Sequence, residues 1–429
     1  MFHMGWFLSY NAAAFASRWN RRGSDWMKPD QWVQMGIALE RAGWDYMMFE
    51  DGSFIPDVHG GSMEQALASG SAPKHDPMAL VPLVGAATSR LGLIATMTST
   101  FYPPYLGARL MVTLDHLTNG RAGLNMVTSH NLRTAQNFGL DAQIEHDERY
   151  RRADEWIRCV KALWDTWEPG ALLADEETGV FADHTKVHEA NFRGRWYSSR
   201  GPLNAPPGPQ GHPVICQAGG SPAGRAFAAA HADTVVASVA SVEAMRAYRE
   251  DMSERLVAAG RKPSDCKVLF VVNPVLADSQ EAAEELAQMQ LGTLEQRRER
   301  ALAALSFASG VDFTKFDLDD PVPQLETNAA RSTMQRLLGG DTGKQATTLR
   351  ELVEAPPQQI RLIGTPDAVA AQMGEYMQEA GGDGFLISGT VTPRYVAEVA
   401  DGLGGALRRR GLIRDGYSHE HLRDNLLAF

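Results

Sequence analysis

Short, nearly unbroken apolar runs separated by longer amphipathic stretches constrain this chain more than any other feature. Eight such runs occur: Phe2–Ser9, Trp44–Glu50, Leu91–Thr98, Arg121–Thr128, Pro213–Ala218, Thr234–Ser238, Lys267–Val275 and Asp383–Ser388. Runs of this length with helical patterns between them are the mark of repeated βα units on a parallel sheet, whose strands are covered on both faces. The pattern predicts a (β/α)8 TIM barrel. The structural alternative is an open doubly wound sheet, but its dinucleotide fingerprint is missing. Neither Gly219-Gly220-Ser221-Pro222-Ala223-Gly224 nor Gly402-Leu403-Gly404-Gly405 has the G-x-G-x-x-G spacing after a first strand.

Helical patterns are expected around Gln31–Ala42, Tyr105–Leu117, 145–166 and Tyr395–Arg410. Regularity breaks in two places. Residues 167–212 hold scattered turns and the Pro/Gly cluster Pro202–Pro213, and read as an insertion of loops with a hairpin. Residues 281–355 are rich in Ala, Glu, Gln, Leu and Arg and read as a helical insertion. The expected organisation is therefore one barrel domain over residues 1–429 carrying both insertions, a length within the range of such barrels.

The formal net charge of −11 argues against nucleic acid or an anionic membrane as partner, since both need a basic footprint. It also means that an anionic ligand must be held by local donors working against the overall field. Cys159, Cys216 and Cys266 are scattered without CxxC spacing and read as small buried hydrophobes. No run of 18 apolar residues and no signal-peptide pattern is present, so a cytoplasmic location is expected.

Active sites of such barrels lie at the C-terminal ends of the strands. There, the run PVICQA leads into Gly219 and Gly220, then Ser221 as a plausible N-cap and Pro222 as the first helical residue. Glycines allow close backbone approach, and a helix N-terminus offers free N–H groups and a positive dipole end, which suits a phosphate. An ordinary capped strand-to-helix junction would look the same. His146 and Tyr150, spaced i, i+4, share a helix face and can both donate to a phosphate or a sugar-like chain. Equally, they fit a polar first turn with Tyr150 packed on the barrel. Thr96 and Asn125 sit inside apolar strands and need partners. Either they bond each other across neighbouring strands, or they face the barrel mouth and bind the edge of a ring. Glu50 and Asp51 end the second strand as candidate acceptors from a ring N–H, or as metal ligands.

Two further patterns weigh less. His184 and His188 have the i, i+4 spacing of a zinc pair, but the HExxH glutamate is absent, and no metal is expected. The N-terminus is rich in aromatics (Trp6, Phe7, Tyr10, Phe15, Trp19, Trp26 and Trp32), and the part from Tyr10 to Trp26 follows the first strand. That placement predicts a flat apolar pocket over the mouth, while Arg18, Arg21 and Arg22 leave room for an anionic compound.

Several stretches resemble the nitrilotriacetate/dibenzothiophene-sulfone monooxygenase family, a branch of the luciferase-like flavin enzymes. They are Thr96–Tyr105, Leu114–Ser129, Asn137-Phe138-Gly139, Glu145–Glu155, Arg200-Gly201-Pro202 with Gln210–Ser221, Ile363–Pro366 and Asp383–Phe385. They follow the family order over nearly the whole chain. The resemblance implies the barrel and a homodimer or homotetramer. It also implies FMN across the mouth, delivered as FMNH2 by a separate NAD(P)H:flavin reductase, with O2 forming a flavin peroxide that oxidises or cleaves a small organic substrate. It assigns Ser221 and Tyr150 to the phosphate end, His146 to the phosphate–ribityl region, and Asp51 and Thr96 to the ring side. Asn125 and Thr96 would lie near flavin N5, as the catalytic pair. One departure is Phe49-Glu50-Asp51, which adds a carboxylate where the family commonly has Leu-Pro/Ala-Asp. The competing readings are an F420-dependent hydride-transfer enzyme and a flavin-binding protein without turnover.

Overall fold

The computed structural model describes residues 1–15, 25–323, 334, 346–355 and 360–429. Eight parallel strands close into a barrel: β1 (His3–Ser9), β2 (Tyr46–Glu50), β3 (Gly92–Thr98), β4 (Ala122–Val127), β5 (Val214–Gln217), β6 (Thr234–Ala237), β7 (Lys267–Val272) and β8 (Gly384–Ile387). Each strand pairs with its neighbours in sequence, and β1 closes the ring on β8 with His3 opposite Gly384. Every apolar run of the sequence is thus a barrel strand, trimmed by one to three residues. The largest trim has a reason: β7 ends at Val272, and Val275 belongs to a separate two-stranded ladder with Ile363.

A helix follows each strand: α1 (Pro29–Arg41), α2 (Leu80–Ala87), α3 (Pro104–Leu117), α4 (His146–Trp164), α5 (Pro222–His231), α6 (Val242–Ala258), α7 (Pro366–Ala380) and α8 (Pro393–Arg409, with a π turn over Glu398–Leu403). The strands are apolar on both faces because both are covered. One face of the strands, including Met4, Trp6, Met47 and Phe49, packs in the main core. The other, including Tyr46, Met48, Ile94, Cys216 and Leu269, forms a second buried cluster.

Both irregular stretches lie outside the eight barrel strands. Between α4 and β5 lie two short antiparallel hairpins, Leu172–Asp175 with Val180–Ala182 and Phe192–Arg193 with Ser198–Ser199. Between β7 and α7 lie helices Gln280–Leu291, Leu294–Ser309 and Leu349–Glu354. The last two share a small core with Phe313 and Met334. Residues 324–333 and 335–345 of the expected helical insertion fall outside the described residues. Among the described residues no helix is long and apolar enough to cross a membrane.

The C-terminal helix Leu422–Leu426 adds Leu422 and Leu426 to that second cluster. Gly92 makes room for it, since a Cβ there would meet Leu422 Cδ1 at 2.4 Å. Nearby, a buried ion cluster ties this segment to the first two strands. Asp45 accepts from Met4 N at 2.9 Å, contacts His3 Nδ1 at 2.9 Å and pairs with Arg414. Burial by itself would raise the Asp45 pKa, but His3, Arg414 and the hydrogen bonds together hold it below the usual carboxylate range. The stability it contributes is present above the unfolded-state pKa and is lost as pH falls through the depressed one.

Removing one partner of a buried pair leaves an uncompensated charge. Arg414→Met should therefore cost about 3–5 kcal/mol, read as a lower urea midpoint at neutral pH. An unchanged midpoint would show that Asp45 does not depend on this partner.

Candidate functional site

A cavity of about 1040 Å³ opens at the C-terminal ends of β1 to β5. Its floor is set by strand-end side chains, and the insertion helix Leu294–Ser309 closes one side through Ala303, Ala304 and Phe307. The six residues singled out from sequence, Asp51, Thr96, Asn125, His146, Tyr150 and Ser221, all line this one cavity.

At one end lies the start of α5. Ser221 is its N-cap, with extended backbone and Oγ accepting from Gly224 N at 3.2 Å, and Pro222 follows at the first helical position. The capped-junction reading of Ser221 is therefore correct as local structure. What goes beyond it is the crowding around Tyr150. A Cβ at Gly219 would lie 2.6 Å from the Tyr150 hydroxyl, and one at Gly224 would lie 2.8 Å from it. That hydroxyl hydrogen-bonds with the side chains of Ser221 and Gln217, and burial raises its pKa. A side chain at either position would displace the Tyr150 hydroxyl, and at Gly224 it would also meet the Gly219 backbone at 2.9 Å, so the glycines keep a tight polar cradle at a helix N-terminus.

α4 supplies the other wall of this end. Its N-cap Glu145 accepts from Asp147 N at 3.0 Å and Glu148 N at 2.9 Å, which places His146 at the first helical position. His146 Nδ1 contacts Asp147 Oδ1 at 2.7 Å, and its ring stands 5.2 Å from that of Tyr150. Arg149, on the same helix face, was not singled out from sequence. It is only 2% exposed and donates from Nη1 to Ile144 O at 2.6 Å. Its spacing from His146, i+3, is the signal that could have found it.

At the other end, Thr96 Oγ1 donates to Phe49 O at 2.7 Å and accepts from Asn125 Nδ2 at 2.7 Å. Because the one Thr96 proton goes to Phe49, the amide of Asn125 is oriented with nitrogen towards Thr96. Asn125 Oδ1 is left buried and without a hydrogen-bond partner. The two residues do bond each other across β3 and β4, and one acceptor remains over. Beside them Asp51 is raised to about 6, chiefly by burial, with Asp76 and Glu50 adding to the shift and a Gly52 backbone hydrogen bond and Lys74 opposing it. The extra carboxylate, Glu50, is taken up by an ion pair with Lys74 and a hydrogen bond from Ser9.

His130 is a further lining residue that the sequence did not point out. It follows Ser129, whose left-handed backbone (φ 47°) is fixed by Ser129 Oγ donating to Thr98 Oγ1 at 2.9 Å. Burial, aided by the Arg149 charge, lowers the His130 pKa to about 4 and keeps the ring neutral.

The aromatic pocket is built differently from the expectation. Tyr10, Trp26 and Trp32 pack on one another, with Tyr10 5.3 Å from Trp32 and 6.0 Å from Trp26, and Trp32 Nε1 bonded to Trp26 O. They are core, because large rings that can bury each other do so before lining a cavity. The aromatic walls come instead from Phe54, Tyr102, Phe138 and Phe307. Trp19, Arg18, Arg21 and Arg22 lie outside the described residues. His184 and His188 are not among the lining residues; His188 Nε2 is 2.6 Å from Glu168. Among the described residues there is no group of three or more His, Cys, Asp or Glu arranged to hold a metal ion.

Comparison with known proteins agrees with this architecture. The profile of the luciferase-like monooxygenase family matches residues 3–384. Dibenzothiophene-sulfone monooxygenase of Rhodococcus erythropolis is 34% identical over 433 residues, spanning 98% of this chain and 95% of the relative. Nitrilotriacetate monooxygenase component A of Aminobacter aminovorans is 36% identical, spanning 82% of this chain and 78% of the relative. The crystal structure of a riboflavin lyase with modified FMN and riboflavin superposes with a TM-score of 0.90 at 28% identity, over 100% of this chain and 96% of the other.

The raised Asp51 pKa has a stability consequence. The folded protein binds this proton more tightly than the unfolded chain, so the group costs stability as pH rises from about 4 to about 6, and the cost stays constant above that window. Asp51→Asn should raise the thermal midpoint of the ligand-free protein at pH 7.5 by roughly a few degrees, with no gain at pH 4. A gain of equal size at both pH values would show that Asp51 is not held away from its ordinary pKa.

Proposed function

This chain belongs to the luciferase-like monooxygenase family, and we propose that it is the oxygenase component of a two-component FMN-dependent monooxygenase. In this reading it receives FMNH2 from a separate NAD(P)H:flavin reductase and uses O2 to oxidise or cleave a small organic substrate. The observation that carries the proposal is the cradle around Tyr150, where Gly219 and Gly224 let its hydroxyl approach the N-terminus of α5.

The donor set fits the cofactor. A phosphate of roughly −2 charge needs several N–H or O–H donors and a cation to offset the net −11 of the chain. Ser221, Tyr150, His146, Arg149 and the free N–H groups of the first turn of α5 supply them. At the ring end, Thr96 fixes the Asn125 amide, whose Oδ1 is left as an acceptor suited to a flavin N–H. Asp51, able to change protonation near pH 6, offers a second group beside the ring. Bound as FMNH2, the cofactor supplies the two electrons that activate O2. The protein's share is placement and exclusion of water, to which the helix Leu294–Ser309 contributes by lining one side of the cavity. The relative named a component A of its monooxygenase supports the two-component arrangement.

The deciding experiment is aerobic turnover with FMN, NADH and a generic flavin reductase over a panel of organic compounds, with products read by mass spectrometry. Oxygenated or cleaved products that require all three additions are expected. Turnover that proceeds without O2 on reduced F420 would replace this reading with hydride transfer.

Two variants test the assigned ends separately. Ser221→Asp keeps a helix cap but sets a negative charge against the phosphate. FMN affinity should fall on the order of 100-fold, measured by fluorescence titration; unchanged affinity removes Ser221 from the site. Asn125→Ala should weaken FMN binding by no more than about tenfold while lowering kcat about 100-fold. A variant turning over at the full rate would end the role given to this amide.

A further inference from the structure

The insertion helix Leu294–Ser309 turns one face to the cavity: Arg300, Ala303, Ala304 and Phe307, spaced i, i+3, i+4 and i+7. The two alanines leave space, and Phe307 remains 39% exposed, a large apolar ring presented to the cavity. The helix is held to the loop after β2 by His59 Nε2 and Glu299 Oε1 at 2.7 Å and by Gly60 N donating to Asp312 Oδ1 at 3.0 Å. From that same loop Phe54 lies nearly parallel to Phe307, with centroids 5.8 Å apart and planes 13° from each other. His130 meets Phe307 edge-to-face at 5.9 Å, and its Nε2 is buried without a hydrogen-bond partner.

We infer that Phe307, Phe54 and His130 form the substrate-selecting wall of this site, and that it takes an uncharged, flat aromatic compound with a polar atom that hydrogen-bonds to His130. This assignment rests on the oxygenase reading above and adds the substrate class to it. Three features support it. The buried His130 Nε2 has no hydrogen-bond partner, so a ligand atom that pairs with it gains affinity, and the hydrogen bond from Ser129 Oγ to Thr98 Oγ1 fixes the turn that carries His130. A neutral imidazole beside a phenyl ring suits a neutral polar atom on an apolar frame, because it offers one hydrogen bond and no charge. Finally, anions are disfavoured at the ring end. Lys74 is matched to Glu50, Asp57 is matched to Arg133, neither Asp51 nor Asp76 forms an ion pair among the described residues, and Arg300, the cation on this helix face, donates to the Leu291 carbonyl.

Binding to the FMN-loaded protein tests this without reference to turnover. Isothermal titration would compare uncharged two- and three-ring aromatics, dibenzothiophene sulfone among them, with the tricarboxylate nitrilotriacetate. Members of the aromatic set should bind saturably and at least about tenfold more tightly than nitrilotriacetate. Phe307→Ala and His130→Leu should each weaken that binding about tenfold, while His130→Gln, which keeps a polar partner, retains most of it. FMN affinity should be the same in all variants, which also shows that each has folded. Tighter binding of nitrilotriacetate, no saturable aromatic ligand, or equal affinities in wild type and His130→Leu would each overturn the assignment. Failure of FMN itself to bind would instead bring down the oxygenase reading, and this one with it.

Discussion

The approach of the Tyr150 hydroxyl to the start of α5 fixes the organisation of the cavity. It comes so close to Gly219 and Gly224 that a Cβ at either position would push it away. That proximity joins two separate βα units: the helix that follows β4 and the junction that follows β5. It brings Ser221 and Gln217 onto the same phenol oxygen. A set of donors converging on the positive end of a helix follows from it, in a chain whose overall charge is strongly negative.

The opposite end works by a different rule. There the polar groups belong to adjacent strands, and the fixed register of a parallel barrel places Thr96 beside Asn125. Their hydrogen bond uses all but one of the available atoms, and the atom left over faces the decision of what to bind. The same cavity has aromatic walls from Phe54, Tyr102, Phe138 and Phe307, and in the proposed reading a ligand with an anionic tail and a flat head would span it. The catalytic demands on the protein are modest under this arrangement. Rigid strands hold the polar groups, while the insertions shield them.

How much of this was legible beforehand depends on how local each signal is. The eight strands could be read because a strand covered on both faces is apolar throughout, and turns or helices punctuate it. The cradle could be read only in part, because Gly-Gly-Ser-Pro after a strand marks a capped helix start whether or not a ligand sits there. Arg149 was harder to read: its i+3 spacing from His146 is a signal, but it sits among Arg151 and Arg152, and composition alone does not separate a buried arginine from solvated ones. His130 and Phe307 are brought together from segments far apart in sequence, which no periodicity reports. The N-terminal aromatics misled for the same reason: whether Tyr10 and Trp26 line a cavity or bury each other is settled by packing with Trp32 and His75, not by their own sequence.

The central claim is that the phosphate is what anchors the ligand. The most direct measurement compares reduced FMN with reduced riboflavin, identical in the ring and lacking only the phosphate, by anaerobic titration. FMNH2 should bind about 100-fold or more tightly. Equal affinities would contradict it, because the cradle around Tyr150 would then contribute nothing to holding the cofactor.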